Sequence, residues 1–236
     1  MAALLVATVG SFSQAVTGFG FAVVAVPLLA LFVDTRVAIV GITALSTLLT
    51  VGTSVWYRHD VDWAMTARLS IAALVGMPLG LIALAAFDSS WLSILVACAV
   101  VLFATLTFSN VTWQNHPRNA YGAGFVGGVF LTSIGMNGPP FVFALQAFNF
   151  SPRRMRATLQ SSFAIQDVFA VLGFALIGQV SADTGIIVLG GLLGVVLGWL
   201  IGSRLFAIIP STQFRWIIGF TLLGSAIALV LQGVFG

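Results

Sequence analysis

The 236 residues are 60% hydrophobic and 6% charged, with a mean hydropathy of +1.13; soluble domains carry about 25% charged residues, which excludes a soluble globular protein. All nine cations are arginine and all six anions aspartate, so the basic balance reflects arginines alone. In a membrane protein such arginines mark cytoplasmic loops rather than a nucleic-acid surface, and without lysine no P-loop can form and no ATP is hydrolysed by this chain.

Taken in order, the N-terminus "MAALLVATVG" has no basic leader and no small-residue cleavage site, so no removable signal peptide is expected. The first apolar segment, 3–32, contains "SQAVTGFGFAVVAVPLL", in which Gly18, Gly20 and Pro27 interrupt a membrane helix. As one helix it would rise about 45 Å, well beyond a hydrocarbon core of about 30 Å. Three ordinary spans follow at 37–57, 69–87 and 91–108. Cys98, the lone cysteine, permits no disulfide within the chain and reads as a small buried hydrophobe. A second broken segment, 120–148, centres on "LTSIGMNGPPF" and leads into spans at 158–177, 185–201 and 216–234. Polar joints such as "RHDVDW", "SNVTWQNHPRN" and "NFSPRRMR" separate the spans. The basic run "SPRRMR" reads most simply as a cytoplasmic anchor, and could also gather anions at a pore mouth.

The two broken segments resemble one another. "VTGFGFAVVAVPLLALF" and "TSIGMNGPPFVFALQAF" each end in an apolar-Phe pair and precede a joint holding Arg36 or Arg153. Gly76 and Gly80 in "GMPLG" recur as Gly194 and Gly198 in "GVVLG". The expected fold class is therefore an all-α polytopic membrane protein with an internal repeat. Each half, 1–116 and 117–236, would hold one broken segment and three transmembrane helices. If each broken segment crosses once, Arg36, Arg153, Arg154, Arg156, Arg204 and Arg215 share a face against Arg58, Arg68 and Arg118. If each dips in and returns, Arg36 alone opposes the other eight, which obeys the positive-inside rule far better. That re-entrant arrangement also inverts the second half, a plan used by secondary transporters. We favour it; a strongly tilted broken helix stays open.

Irregular backbone in lipid leaves amides unpaired and is tolerated only against protein or a water-filled cavity. The breaks must therefore line something. With the tips near mid-membrane, each is followed by the N-terminus of a short helix, with Pro139 and Pro140 suited to a first turn. Such helix ends attract anions. Gly18, Gly20, Gly135 and Gly138 would let a solute approach the backbone, and Ser13, Gln14, Thr17, Ser133 and Asn137 would add neutral partners. Phe19, Met136 and Pro139 complete the two walls, and Gln160 and Ser161, in the turn 160–162, form a third. The competing reading of the small residues is close helix packing, which suits Gly76, Gly80, Gly190, Gly191, Gly194 and Gly198.

Asp167 is the only acid well inside an intact span. Intramembrane carboxylates are costly and often functional, which makes Asp167 the candidate for proton coupling; the alternative is a hydrogen-bonded strut between helices. In the first half the matching helix offers Thr43, Ser46, Thr47 and Thr50 but no acid. His59 and His116 lie in joints, and "RHDVD" lacks the further ligand a metal site needs. No metal, cofactor or catalytic residue is expected, and no enzyme.

"SQAVTGFGFAVVAVPLLALF", with its degenerate copy "LTSIGMNGPPFVFALQAF", resembles the sulfite exporter TauE/SafE family of bacterial membrane permeases. The likeness spans essentially the whole chain, although "TGFGF" is a sparser glycine run than many members show. It implies transport of sulfite, an organosulfonate or a related small anion across the bacterial inner membrane. Three functions remain to be separated: a secondary transporter, a passive anion channel of the same architecture, and a non-transporting scaffold. Proton coupling and a homo-oligomeric state are left open.

Overall fold

The structure is a computed structural model that describes residues 1–108, 117–146, 148 and 150–205. The predicted span 216–234, Arg215 and His116 lie outside the described residues. Those described form nine α-helices and one 3-10 turn, with no strand among them. In chain order the helices are α1 (Ala2–Thr17), α2 (Phe21–Ala30), α3 (Thr35–Tyr57), α4 (Trp63–Ala86), α5 (Ser89–Phe108), α6 (Pro117–Ile134), α7 (Gly138–Gln146), α8 (Pro152–Leu176) and α9 (Ala182–Leu205). By length and composition Thr35–Asp60, Trp63–Ala86, Pro152–Leu176 and Ala182–Arg204 can each cross a membrane. The chain is an all-α polytopic membrane protein.

Both broken segments double back. Gly18, at φ 88°, ends α1, and Gly135, at φ 77°, follows α6. This left-handed region is open to glycine without strain. A Cβ on Gly10 of α1 would meet Ala25 and Phe21 of α2 at 3.0 and 3.1 Å. In one continuous helix Gly10 and Ala25 would be about 22 Å apart, so the two helices form a hairpin. The ring of Phe141 on α7 likewise lies against Gly127 on α6. Pro27, expected to interrupt the first segment, stands inside α2 without ending it. The turn is made at 18–20, where glycine supplies the backbone freedom that proline lacks.

Two predicted boundaries are corrected. α4 and α8 each begin six residues earlier than expected, at Trp63 and Pro152. The joints "RHDVDW" and "NFSPRRMR" hide these starts in the sequence, but Asp62 and Ser151 cap the two helices by accepting from the Met65 and Arg154 amides. N-capping of this kind starts a helix irrespective of the charges that follow. Cys98 is also corrected: it is exposed, on a face of α5 that also exposes Trp91, Leu95, Val101 and Leu102. An apolar thiol suits a face turned to lipid.

Helix packing is reciprocal. α1 lies along α9, with Gly194 and Gly198 against Leu4, Thr8 and Ser11; α6 lies along α4, with Gly124 and Gly128 against the Leu69 and Ala73 carbonyls. Both pairs run parallel, and their glycines let the backbones approach closely, as small residues do between membrane helices. Gly41 and Leu45 of α3 meet Ile187 and Gly191 of α9, while Leu81 of α4 meets Gly173 of α8; these pairs too are parallel. At the centre α3 and α8 run antiparallel, joined by Ser46–Asp167, Thr53–Gln160 and Ser54–Ser161 hydrogen bonds. Arg153, at the start of α8, therefore pairs with Asp60 just past the end of α3 at 2.7 Å. Arg36 sits at the opposite end of α3, whose 23 residues span about 34 Å.

Candidate functional site

The hairpin tips meet. A Cβ on Gly138, the first residue of α7, would lie 2.9 Å from the Phe19 carbonyl and 3.2 Å from its side chain. Neither tip is at the level of the α3–α8 midpoint. Gly18 lies beside Arg156 and Leu159, in the second turn of α8, and Gly135 beside Ile39, in the second turn of α3. Each hairpin thus reaches past the midpoint of the α3–α8 pair; α1 alone, with 16 residues, extends about 24 Å.

The first tip is held by glutamines. Gln160 Nε2 donates to the Gly18 carbonyl at 3.0 Å, and its Oε1 accepts from Gln14 Nε2 at 3.0 Å, with Thr53 Oγ1 at 2.9 Å. Gln14 Oε1 in turn accepts from the Phe21 amide at 3.2 Å. The first amide of α2 is therefore already satisfied within the protein. Thr17 Oγ1 donates to the Ser13 carbonyl at 2.8 Å and accepts from the Phe19 amide at 3.3 Å. Ser13 is 2% exposed, yet its Oγ has no hydrogen-bond partner among the described residues. That oxygen faces Gly20 so closely that a Cβ there would overlap it.

At the second tip Asn137 Nδ2 donates to Gln166 Oε1 at 3.1 Å. Gln166 is 0% exposed, and its Nε2 has no partner among the described residues. Ser133 Oγ is spent on the Val129 carbonyl at 2.7 Å, and the Met136 amide on the Phe130 carbonyl at 3.2 Å. Gly138, Pro139 and Pro140 form the first turn of α7, as expected. The predicted third wall divides: Gln160 serves the first tip, Ser161 bonds Ser54 at 2.8 Å, and the second tip is met by Gln166 instead.

Asp167 is 1% exposed at the α3–α8 crossing. Its Oδ2 accepts from Ser46 at 2.7 Å, with Thr50 Oγ1 at 3.2 Å. The hydroxyl run Ser46, Thr50, Thr53 and Ser54 lines the face of α3 turned to α8, at the i, i+3/i+4 spacing of one helical face. Sequence reasoning finds Ser46 and Thr50 of this stripe but misses Thr53 and Ser54, and it misses Gln166 and Arg156 as site residues. Arg156 reads as part of a solvated anchor but is 9% exposed, with its guanidinium over the Trp199 and Tyr57 rings at 4.8 and 5.3 Å. No group of three or more His, Cys, Asp or Glu able to hold a metal occurs among the described residues.

The sulfite exporter TauE/SafE family model matches residues 3–229, nearly the full chain. The chain belongs to this family. No curated protein and no solved structure matches it. TauE/SafE proteins are membrane transporters, not enzymes, so membership agrees with the polytopic fold and calls for a small anionic solute within a lipid environment. It also places both glycine tips, α8 and the buried polar network inside the matched region.

Proposed function

We propose that the chain is a secondary transporter of a small anion, sulfite, an organosulfonate or a related carboxylate, bound between the two hairpin tips. The observation that carries this reading is a pair of buried donors without an acceptor among the described residues, Ser13 Oγ at one tip and Gln166 Nε2 at the other. A buried donor left unmatched costs about 1–3 kcal/mol, and an anionic solute supplies only acceptors. Gln14, Thr17, Gly18, Phe19 and Gly20 would form one wall of that site. Ser133, Gly135, Met136, Asn137, Gly138 and Pro139 would form the other, with Gln160 and Ser161 behind the first.

The same proposal includes two inverted halves. What supports it is that shifting residue numbers by 117 carries Gly18 to Gly135, Phe21 to Gly138 and Thr35 to Pro152. The parallel pair α1–α9 then exchanges with α6–α4, and α3–α9 with α8–α4. On this plan Arg58, Arg68, Arg118, Arg153, Arg154, Arg156 and Arg204 share one face and Arg36 takes the other. The arginine-rich face is then cytoplasmic, in a bacterial inner membrane. Rocking of one half against the other would alternate access, and Asp167, between Ser46 and Thr50, would carry a coupled proton.

Reconstitution in liposomes tests the reading. A transporter accumulates sulfite or a sulfonate above its external concentration when a pH gradient is imposed. The channel alternative allows flux but no accumulation. No flux of any anion by folded protein overturns both.

A further inference from the structure

Three arginines within a turn and a half of α8 do different things. Arg153 and Arg154 reach outward, pairing with Asp60 and Asp62 at 2.7 Å each, with side chains 76% and 53% exposed. Arg156 turns inward, between the Trp199 ring of α9 and the Tyr57 ring of α3, with its Cγ 3.7 Å from where a Gly18 Cβ would stand. Three helices meet around one buried guanidinium, and its aliphatic stem lies beside the first hairpin tip.

The burial of a cation beside irregular backbone is a strong constraint. A charged side chain within a span is expensive and marks a solute pathway when it faces the interior. Aromatic faces attract a guanidinium electrostatically, so the Tyr57 and Trp199 rings confine the group between α3 and α9. Two residues past Gly18 the Ser13 hydroxyl faces Gly20, nine-tenths buried and without a partner among the described residues. This is the independent sign that the first tip takes a ligand. The second tip differs: among the described residues the side chains beside Gly135 are those of Val26 and Ile39, both apolar.

We propose that Arg156 is the charge partner of the transported anion at the end of the pathway where α8 begins, and that its fork selects oxyanions presenting two acceptor oxygens on one centre. This rests on the transporter reading above. A guanidinium matches such ligands bidentately, which an ammonium does not. Sulfite, sulfonates and carboxylates share the required chemistry, and halides lack it.

Initial uptake rates of the full chain in liposomes decide the matter, measured with sulfite, methanesulfonate, acetate and chloride for wild type, Arg156→Gln, Arg156→Lys and the surface control Arg153→Gln. Loss of a charged hydrogen-bonded partner predicts a KM raised about 10- to 100-fold in Arg156→Gln. Arg156→Lys keeps the charge but loses the fork, so its KM rises for the oxyanions and discrimination against chloride falls. Arg153→Gln leaves KM unchanged. The anion whose KM moves most separates sulfur oxyanions from carboxylates. A KM within twofold of wild type in Arg156→Gln overturns the proposal. Should that variant fail to reconstitute, an unchanged oxyanion KM in Arg156→Lys overturns it equally. Wild-type protein that moves none of these anions sinks the transporter reading instead.

Discussion

Gln160→Leu is the sharpest test of how the first tip is held. The substitution nearly conserves volume but deletes both polar atoms. The Gly18 carbonyl loses the donor 3.0 Å away, and Gln14 Nε2 loses its acceptor at 3.0 Å. Gln14 Oε1 still accepts from the Phe21 amide, so two groups are orphaned by this count. At the low end of about 1 kcal/mol for each buried orphan, the loss is about 2 kcal/mol. The low end is the right choice because interhelical hydrogen bonds in membranes also find substitutes in the unfolded state. For a chain of this size about 2–4 °C of Tm corresponds to each kcal/mol, so Tm falls by at least about 4 °C. Intrinsic tryptophan fluorescence of detergent-solubilised protein reads this directly, since the chain has six tryptophans. A change below about 1 °C would mean that water already serves these groups, and the glutamine clamp would be wrong.

Other substitutions probe the remaining links. Gly128→Val should prevent accumulation of folded protein, because a Cβ there would overlap the Ala73 carbonyl; a monodisperse gel-filtration peak at wild-type yield would refute the α4–α6 contact. Asn137→Ala leaves Gln166 without its donor partner and should cut uptake about tenfold or more, with unchanged uptake removing Asn137 from the site. Asp167→Asn should keep the protein folded but abolish stimulation of uptake by a pH gradient, and persisting stimulation removes Asp167 from coupling. Asp62 responds to pH by itself. Burial opposes its ionisation, but the Met65 amide and the Arg154 guanidinium outweigh burial and hold its carboxyl below the usual carboxylate range. Its contribution is therefore complete above the unfolded value of about 3.9 and lost as pH falls through the lower folded value. The Tm deficit of Asp62→Asn should be present at pH 6 and shrink towards pH 3; a constant deficit would show that the Met65 cap or packing matters and the charge does not.

How much is legible in the sequence depends on whether local chemistry or tertiary placement decides the outcome. The hairpin turns are legible because Gly18 and Gly135 are required for positive φ and because the arginines favour a return over a crossing. The α4 and α8 starts are not, since Arg68 in the second turn of α4 and the arginines that open α8 look like joints until Asp62 and Ser151 are recognised as caps. At the site, Asn137 and Gln160 carry a signal of their own as amides inside apolar runs. Arg156 carries the wrong one: in "SPRRMR" it has the same neighbours as Arg153 and Arg154, and only the helical phase of α8 turns it between Tyr57 and Trp199. Gln14 illustrates the opposite failure. Its place beside the glycine break points to a solute, but both of its polar atoms are already engaged within the protein, by Gln160 and the Phe21 amide.

The inverted-repeat reading has a consequence for how the two access states compare. Residues 117 apart would be equivalent, and Thr50 and Asp167, one such pair, touch each other at 3.2 Å. Contact between equivalents requires the pseudo-twofold axis to pass between them, at the α3–α8 crossing. Around that axis the exchanges run both ways. Ile39, Thr43, Leu49 and Thr50 on α3 correspond to Arg156, Gln160, Gln166 and Asp167 on α8, whereas Ser46, Thr47, Thr53 and Ser54 correspond to Phe163, Ala164, Ala170 and Val171, so in these pairs α8 holds the charged groups and amides and α3 the hydroxyls. On that reading the scaffold would be close to symmetric while its chemistry is not. A symmetric scaffold lets the two halves exchange conformations, but an anion arriving at the Gly18 tip meets a guanidinium and one arriving at the Gly135 tip meets an amide. Affinities measured from the two faces should therefore differ, with the tighter site on the arginine-rich face. Equal affinities from both faces would mean that the anion contacts only what the halves share, the glycine backbone of the tips.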